Sequence, residues 1–347
     1  MIRTAAFPLL ALMLAGAAPP EQSQRAVLPV HIGGRVAPAA DGSLSFGWPG
    51  VYIEGWFEGT SVRVRFDAPD DFIRLSIDGT EHKIFRAQGA VDTTIDGLSP
   101  GQHVVRLEKL TETQAGASRF IAFEVMGKPL LARPRSRAIE FIGDSFTVGY
   151  GNSSATTQCT GEEVHDRTDT SRAFGPLAAK ALDADYRINA FSGFGMVRNY
   201  AGRVAGESLP FLYPRAIPGN ASAAANDTDW HPQTIVINLG GNDFSTPLNP
   251  GEQWADAAAL DRAYRERYIA FVTDLAARQP QARFILAGTD LFFPQVEQVA
   301  DGLSAKLPGR VSTLRITGLD LRGCHGHPSL ADHRLIAELL IGAINRR

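Results

Sequence analysis

Four residues of this chain have the chemistry for one kind of reaction. Ser145, in Gly143-Asp144-Ser145, is an oxygen nucleophile, and His327, just before Pro328, is a base able to take its proton. Gly193 offers a backbone N–H with no Cβ to obstruct approach, and Asn242, in Gly241-Asn242-Asp243, offers a side-chain amide. Acyl transfer needs these parts: a nucleophile, a base, and donors aimed at the carbonyl oxygen as it becomes negative. The expected donors are the backbone N–H groups of Ser145 and Gly193 and the amide of Asn242. Each motif alone has a plainer reading. G-D-S is common by chance, G-N-D is usually a turn, and a histidine before proline more often starts a helix. The weight lies in the set, because all four follow separate strand-like runs in order.

Those runs define the second half of the chain. Short apolar strands are expected near 138–142, 186–191, 234–239, 283–288 and 311–316. Helical patterns separate them: Arg172–Leu182, Trp254–Arg278 with Leu260, Tyr264, Tyr268, Phe271, Val272 and Leu275 on one stripe, and a last helix after Pro328. Alternating strand and helix predicts an α/β fold, a parallel five-stranded sheet between two helical layers. Ligands of such folds bind beyond the carboxyl ends of the strands, where Ser145 falls. The first half has another rhythm. "SVRVRF" alternates Val62, Val64 and Phe66 with polar residues, "FIRLSIDGT" alternates and then turns at Asp78-Gly79, and "RFIAFEV" is expected to put Ile121, Phe123 and Val125 on one face. Period-two runs between Gly, Asp and Pro predict an antiparallel, jelly-roll-like β-sandwich over 26–130. A Pro- and Arg-containing join, Gly127 to Ala138, leads to a second unit over 136–347.

Residues 1–18 read as a secretory signal: Arg3, about a dozen apolar residues, then the small-x-small pattern Ala15-Gly16-Ala17. The apolar stretch is shorter than the ~20 residues a membrane helix needs. The expectation is therefore a secreted or periplasmic protein, with no membrane attachment after cleavage. Export favours pairing of the two cysteines, Cys159 and Cys324, with two unpaired buried thiols as the alternative. A net charge of −3 without a long basic run gives no footing for nucleic acid. The eight histidines show neither H-x-x-x-H nor H-E-x-x-H spacing, so no metal or other cofactor is implied. Gly143-Asp144-Ser145-Phe146 also lacks the G-x-S-x-G elbow of α/β-hydrolases.

The G-D-S block, the glycine after the second strand, the G-N-D block and the H-P near the C-terminus resemble the SGNH (GDSL-type) hydrolases. A narrower resemblance covers nearly the whole chain beyond the signal. "WPGVYIEGWFEGTSVRVRF", "GLSPGQHVVRLEKLTE", "YPRAIPGN", "DWHPQTIVINLGGNDFS" and "GCHGHPSLADHRLIAELL" look like carbohydrate esterase family 2. That resemblance implies a deacetylase acting on polysaccharide such as xylan or glucomannan. Its nucleophile falls on Ser145, its base on His327, and its oxyanion donors on Ser145, Gly193 and Asn242. One departure stands out. The superfamily usually carries Asp three residues before the base and this subfamily often two before, where Cys324 and His325 stand here. Asp332 and Asp320 are the nearest carboxylates in sequence. The preferred reading is a Ser–His dyad with a backbone carbonyl orienting His327.

Trp230, Trp254 and Phe194 are candidate sugar platforms or simple packing, and Phe146 is expected beneath the serine turn. Two alternatives stand beside the deacetylase. A lipase or thioesterase would need a continuous apolar groove, whereas the region around Ser145 is rich in Gly, Ser, Thr and Asn. A glycan-binding protein with vestigial activity would use the sandwich as its module. With no aromatic strip at strand spacing, that sandwich reads as a brace for the second unit.

Overall fold

The computed structural model describes residues 25–346, and the expected signal at 1–18 lies outside them. The first half forms two antiparallel sheets. One runs Ala37–Pro38, Leu44–Phe46, Ser118–Val125, Val62–Ala68 and Gly89–Ile95. The other runs Lys128–Pro129, Tyr52–Glu58, Gln102–Lys109, Phe72–Ile77 and Thr80–Arg86. Ala26–Val27 joins the first sheet and Val30–Gly33 the second. Val62, Val64, Phe66 and Ala68 are buried while Arg63, Arg65 and Asp67 face outward, as a strand with one wet face requires. The outward row is ionic: Arg63 pairs with Asp92 and Glu124 on the flanking strands, and Arg65 with Glu124. Asp78 and Gly79, both at positive φ, close the hairpin between Phe72–Ile77 and Thr80–Arg86.

One expectation needs correction. Ile121 does not share the inner face with Phe123 and Val125. The register of Ser118–Val125 against Val62–Ala68 shifts between Phe120 and Ala122, so Phe120, Ala122, Phe123 and Val125 are its buried apolar residues. A bulge adds one residue and breaks strict alternation.

The second half is a parallel sheet in the order Ala184–Ala190, Arg137–Gly143, Thr234–Asn238, Arg283–Thr289, Val311–Ile316. Its inner strands are buried on both faces, which is why they read as apolar runs. The order reverses between Arg137–Gly143 and Thr234–Asn238, which opens a crevice beyond their carboxyl ends. Helices Phe174–Ala181 and Leu330–Asn345 pack against each other beside Ala184–Ala190 and Val311–Ile316, and Ala257–Arg278 contacts Phe293–Ser304. The long helix starts at Ala257 with Asp256 as its cap, so Trp254 lies ahead of it.

The two halves meet along buried charge. Tyr52 donates to Asp185 at 2.8 Å, and Arg106 pairs with Glu54 at 2.7 Å and Glu108 at 2.9 Å. Tyr186 and Lys180 of the second half also donate to Glu108. Burial alone would raise the Glu108 carboxyl, but Arg106 and Lys180 outweigh it and hold it well below the usual range. Ions enclosed this way are tolerable only when paired, as these are.

Candidate active site

Strand Arg137–Gly143 ends in a tight turn. Asp144 caps the one-turn helix Ser145–Val148 by accepting from the Phe146 N–H at 3.1 Å, and Gly149, at φ 82°, closes it. A Cβ on Gly143 would lie 2.0 Å from Thr147 Oγ1, so only glycine lets the strand turn here. The Ser145 Oγ is thereby set at the mouth of the crevice. His327 comes from the segment between the last strand and helix Leu330–Asn345, and its Nε2 lies 2.8 Å from Ser145 Oγ. Its Nδ1 lies 3.0 Å from the Cys324 carbonyl oxygen. That acceptor makes Nδ1 the protonated nitrogen and leaves Nε2 free to accept from serine. Burial pushes the His327 imidazole down to about 4, against the raising effect of the Cys324 carbonyl.

No carboxylate among the described residues bonds to either ring nitrogen of His327. Asp332 is engaged elsewhere: its carboxylate caps helix Leu330–Asn345 and accepts from the backbone of Asp320, Leu321 and Ser329. Asp320 accepts from the Arg322 N–H. His325 sits at φ 54° beside the cavity, its Nε2 2.7 Å from the Cys159 carbonyl and its Nδ1 3.0 Å from the Tyr150 hydroxyl. Cys159 and Cys324 form a disulfide, with Cα atoms 5.6 Å apart, between the segment after the serine turn and the segment carrying His327.

The residues of the three expected donors, Ser145, Gly193 and Asn242, line one recess, and the donors are in different states. The backbone N–H groups of Ser145 and Gly193 meet no acceptor among the described residues. Gly193 adopts φ 82°, and a Cβ there would touch nothing within 4 Å, so its glycine serves conformation rather than close packing. The Asn242 amide is engaged: its Nδ2 lies 2.9 Å from the Phe194 carbonyl and 3.2 Å from Asp144 Oδ2. Asp144 is enclosed, and burial pushes its carboxyl up to about 7, against the Phe146 N–H and with help from nearby Asp243.

Ser145 lies between two recesses. One, of about 490 Å³, is lined by Gln114, Tyr150, Gly193, Asn199, Tyr200 and Arg203 among others. The second, of about 250 Å³, presents Phe146, Leu291 and Phe292. Phe146 therefore lines the site, its ring 5.6 Å from that of His327, rather than lying beneath the serine turn. Trp230 is 8 % exposed, donates to Glu140 and stacks under Arg187, so it is packing. Trp254 lines a neighbouring cavity of about 420 Å³ with Arg203 and Glu252.

Comparison with known proteins agrees with this architecture. Residues 32–134 match the carbohydrate esterase 2 N-terminal model, and residues 141–332 match the GDSL-like lipase/acylhydrolase family. An acetylxylan esterase / glucomannan deacetylase of Cellvibrio japonicus is 44 % identical over 330 residues, 92 % of this chain and 91 % of that protein. The chain belongs to carbohydrate esterase family 2. A solved carbohydrate esterase, whose active site is described as having divergent catalytic and non-catalytic binding functions, is 43 % identical with a TM-score of 0.87, covering 93 % of this chain and 98 % of that one. A family 2 carbohydrate esterase from Clostridium thermocellum, solved with cellohexaose, is 26 % identical with a TM-score of 0.78, covering 91 % and 98 %. This family 2 chain is thus an enzyme, a carbohydrate esterase.

Within this esterase, residues that sequence reading passed over hold the site together. Asp243 is buried and accepts from the backbone N–H groups of Met196, Val197 and Arg198 at 2.9, 2.8 and 2.9 Å. Burial pushes its carboxyl up to about 6, against those donors. A Cβ on Gly195 would lie 2.4 Å from Asp243 Oδ2 and 2.2 Å from the Arg198 carbonyl. The aspartate of G-N-D thus folds the loop that carries Gly193. The spacing of Asp243 from a glycine-rich loop offered no signal in the sequence. The adjacent Asn242 is distinctive in the sequence because a side-chain amide can donate to an oxyanion.

Proposed function

We propose that this esterase is an exported carbohydrate O-deacetylase that works through an acetyl-enzyme on Ser145. The observation that carries the reading is the Ser145–His327–Cys324 carbonyl chain, with contacts of 2.8 and 3.0 Å. Ser145 Oγ attacks the acetyl carbonyl as its proton passes to His327 Nε2. The backbone N–H groups of Ser145 and Gly193, with the Asn242 amide, bind the oxyanion. The imidazolium then protonates the sugar oxygen as its bond to the acetyl carbon breaks, so the sugar leaves as an alcohol and the acetyl stays on Ser145. In the second half-reaction water attacks the acetyl carbon as His327 Nε2 takes its proton, and the imidazolium returns that proton to Ser145 Oγ as the Oγ–carbon bond breaks, releasing acetate and free serine. The Cys324 carbonyl holds the imidazole in its working tautomer and accepts from Nδ1–H while the ring is cationic.

Polysaccharide as substrate is supported by the C. japonicus relative named as acetylxylan esterase / glucomannan deacetylase and by the larger recess, whose exposed Tyr200 and Arg203 suit a sugar ring and its hydroxyls. The smaller recess, with Phe146, Leu291 and Phe292, suits a short acyl group. Export is supported by the sequence of residues 1–18 and by the disulfide. We keep the unit boundaries at 26–130 and 136–347 as part of this reading. Acetate release from acetylated xylan, acetylated glucomannan and long-chain p-nitrophenyl esters, with Ser145→Ala as control, tests it. Release from the polysaccharides, lost in Ser145→Ala, is expected. Preference for the long-chain ester would favour a lipase instead.

A further inference from the structure

The sandwich reaches into the active site. The segment Leu110–Ala117, between strands Gln102–Lys109 and Ser118–Val125, leaves the sandwich and touches the residue ahead of Gly193. The Ser192 N–H donates to Glu112 Oε1 at 2.8 Å, and Gln114 Nε2 donates to the Ser192 carbonyl at 2.9 Å. Its base is anchored to buried Asp71, which accepts from Lys109, Thr111, Thr113 and Ser118. On its outer side the Leu110 carbonyl accepts from the Thr170 N–H at 2.8 Å. The segment is therefore fixed from both halves before it presents Glu112 and Gln114.

Gln114 holds the Ser192–Gly193 peptide plane, and Glu112 holds the Phe191–Ser192 plane just before it. The Ser192 carbonyl and the Gly193 N–H belong to one planar trans amide and point in opposite directions. Holding the carbonyl on one side fixes the N–H on the other, at a residue that lines the same recess as Ser145. Glycine at φ 82° has the freedom to adopt this conformation and equally the freedom to leave it. The next peptide is secured within the second half, where the Gly193 carbonyl accepts from the Tyr200 N–H at 2.8 Å. The Ser192–Gly193 plane is held by the sandwich. We propose that Glu112 and Gln114 are positioning residues for the oxyanion hole, making the sandwich part of the catalytic device rather than a brace. This rests on Gly193 being an oxyanion donor. A hydrogen bond on the Ser192 carbonyl also polarises the amide and strengthens the Gly193 N–H as a donor.

The test uses the full chain with Gln114→Ala, Gln114→Glu, Glu112→Ala and Glu112→Gln, assayed on p-nitrophenyl acetate and on acetylated xylo-oligosaccharides. Gln114 is exposed, so its replacement leaves the fold intact. Loosening one donor without deleting it is expected to lower kcat about tenfold, below the 10²–10³ of outright removal, with KM within about twofold. The loss should be equal on both esters, since both form the same oxyanion. Gln114→Glu should lose more than Gln114→Ala, because an acceptor then faces the Ser192 carbonyl. Glu112→Gln, which keeps an acceptor for the Ser192 N–H, should recover most of what Glu112→Ala loses. Unchanged kcat in both Gln114 variants would overturn the proposal. So would a loss confined to KM for the saccharide, which would make Gln114 a sugar contact. The underlying reading fails separately, if Ser145→Ala keeps its activity.

Discussion

Replacing Asp332 by Asn separates a dyad from a displaced triad. The Asp332 carboxylate accepts from Asp320 N–H at 2.8 Å, Leu321 N–H at 3.0 Å, Ser329 N–H at 2.9 Å and Ser329 Oγ at 3.1 Å. Burial would raise its pKa, but the backbone donors of Asp320 and Ser329 outweigh that and hold it below 3.8. Asn retains one of the two oxygens and turns an NH2 group toward the remaining donor. With the retained oxygen on Leu321 and Ser329, losing the Asp320 N–H bond and the charge behind the other three costs about 2–4 kcal/mol. For a unit of this size that is a fall in Tm of roughly 5–15 °C. Because Asp332 does not touch His327, kcat measured well below Tm should stay within about threefold. Removing the carboxylate of a true triad costs about 10⁴ in kcat. Thermal melts by circular dichroism, with kcat for acetate release at 25 °C, give both numbers. Asp320→Asn and His325→Ala are companions. The first should change little in either measurement, and the second should keep kcat within about tenfold. A loss of 10³ or more in either aspartate variant, with the protein folded, would refute the reasoning.

Asn242→Ala should lower kcat by roughly 10²–10³ with little change in KM, and near-normal turnover would reduce Asn242 to a turn residue. The acid limb of log kcat/KM should fall near pH 4 rather than near 6.5, since His327 stays neutral down to about 4. The sign for stability agrees: the fold favours neutral His327, so its contribution is present above 6.5 and is lost as pH falls through about 4. An acid limb near 6.5 would show an imidazole open to water. Cys159→Ser should lower Tm, by at most ~5 kcal/mol of stability for so long a loop, and should reduce kcat because Cys324 carries the carbonyl that orients His327. Unchanged Tm and kcat in that variant would make the disulfide incidental.

The parallel sheet was legible because each strand is an apolar run between amphipathic helices, as with Ile139–Ile142 between the join and the serine turn. Ser145 and His327 could be read because they are chemically distinctive and lie beyond the carboxyl ends of strands, and the structure places them 2.8 Å apart. The acceptor for His327 Nδ1 could be expected only as some backbone carbonyl. A main-chain oxygen has no residue signature, so nothing singled out Cys324. Ile121 was misplaced because a single-residue bulge is invisible to a period-two pattern. Glu112 and Gln114 were out of reach for a different reason. They meet Ser192 across 80 and 78 residues of sequence, through an interface between halves that were read separately. Asp243 was hidden because its work is to hold three backbone N–H groups, which any buried carboxylate in a turn could do.

Trapping the acyl-enzyme tests the central claim most directly. The full chain is mixed with p-nitrophenyl acetate, quenched in acid within the first turnover, digested and examined by mass spectrometry. The account predicts one acetyl group on the peptide containing Ser145, and none there in Ser145→Ala. It also predicts accumulation of that adduct in His327→Ala wherever acylation still occurs, because deacylation needs the same base. An active enzyme with no acetyl on Ser145, or a Ser145→Ala variant that still releases acetate at the normal rate, would contradict it.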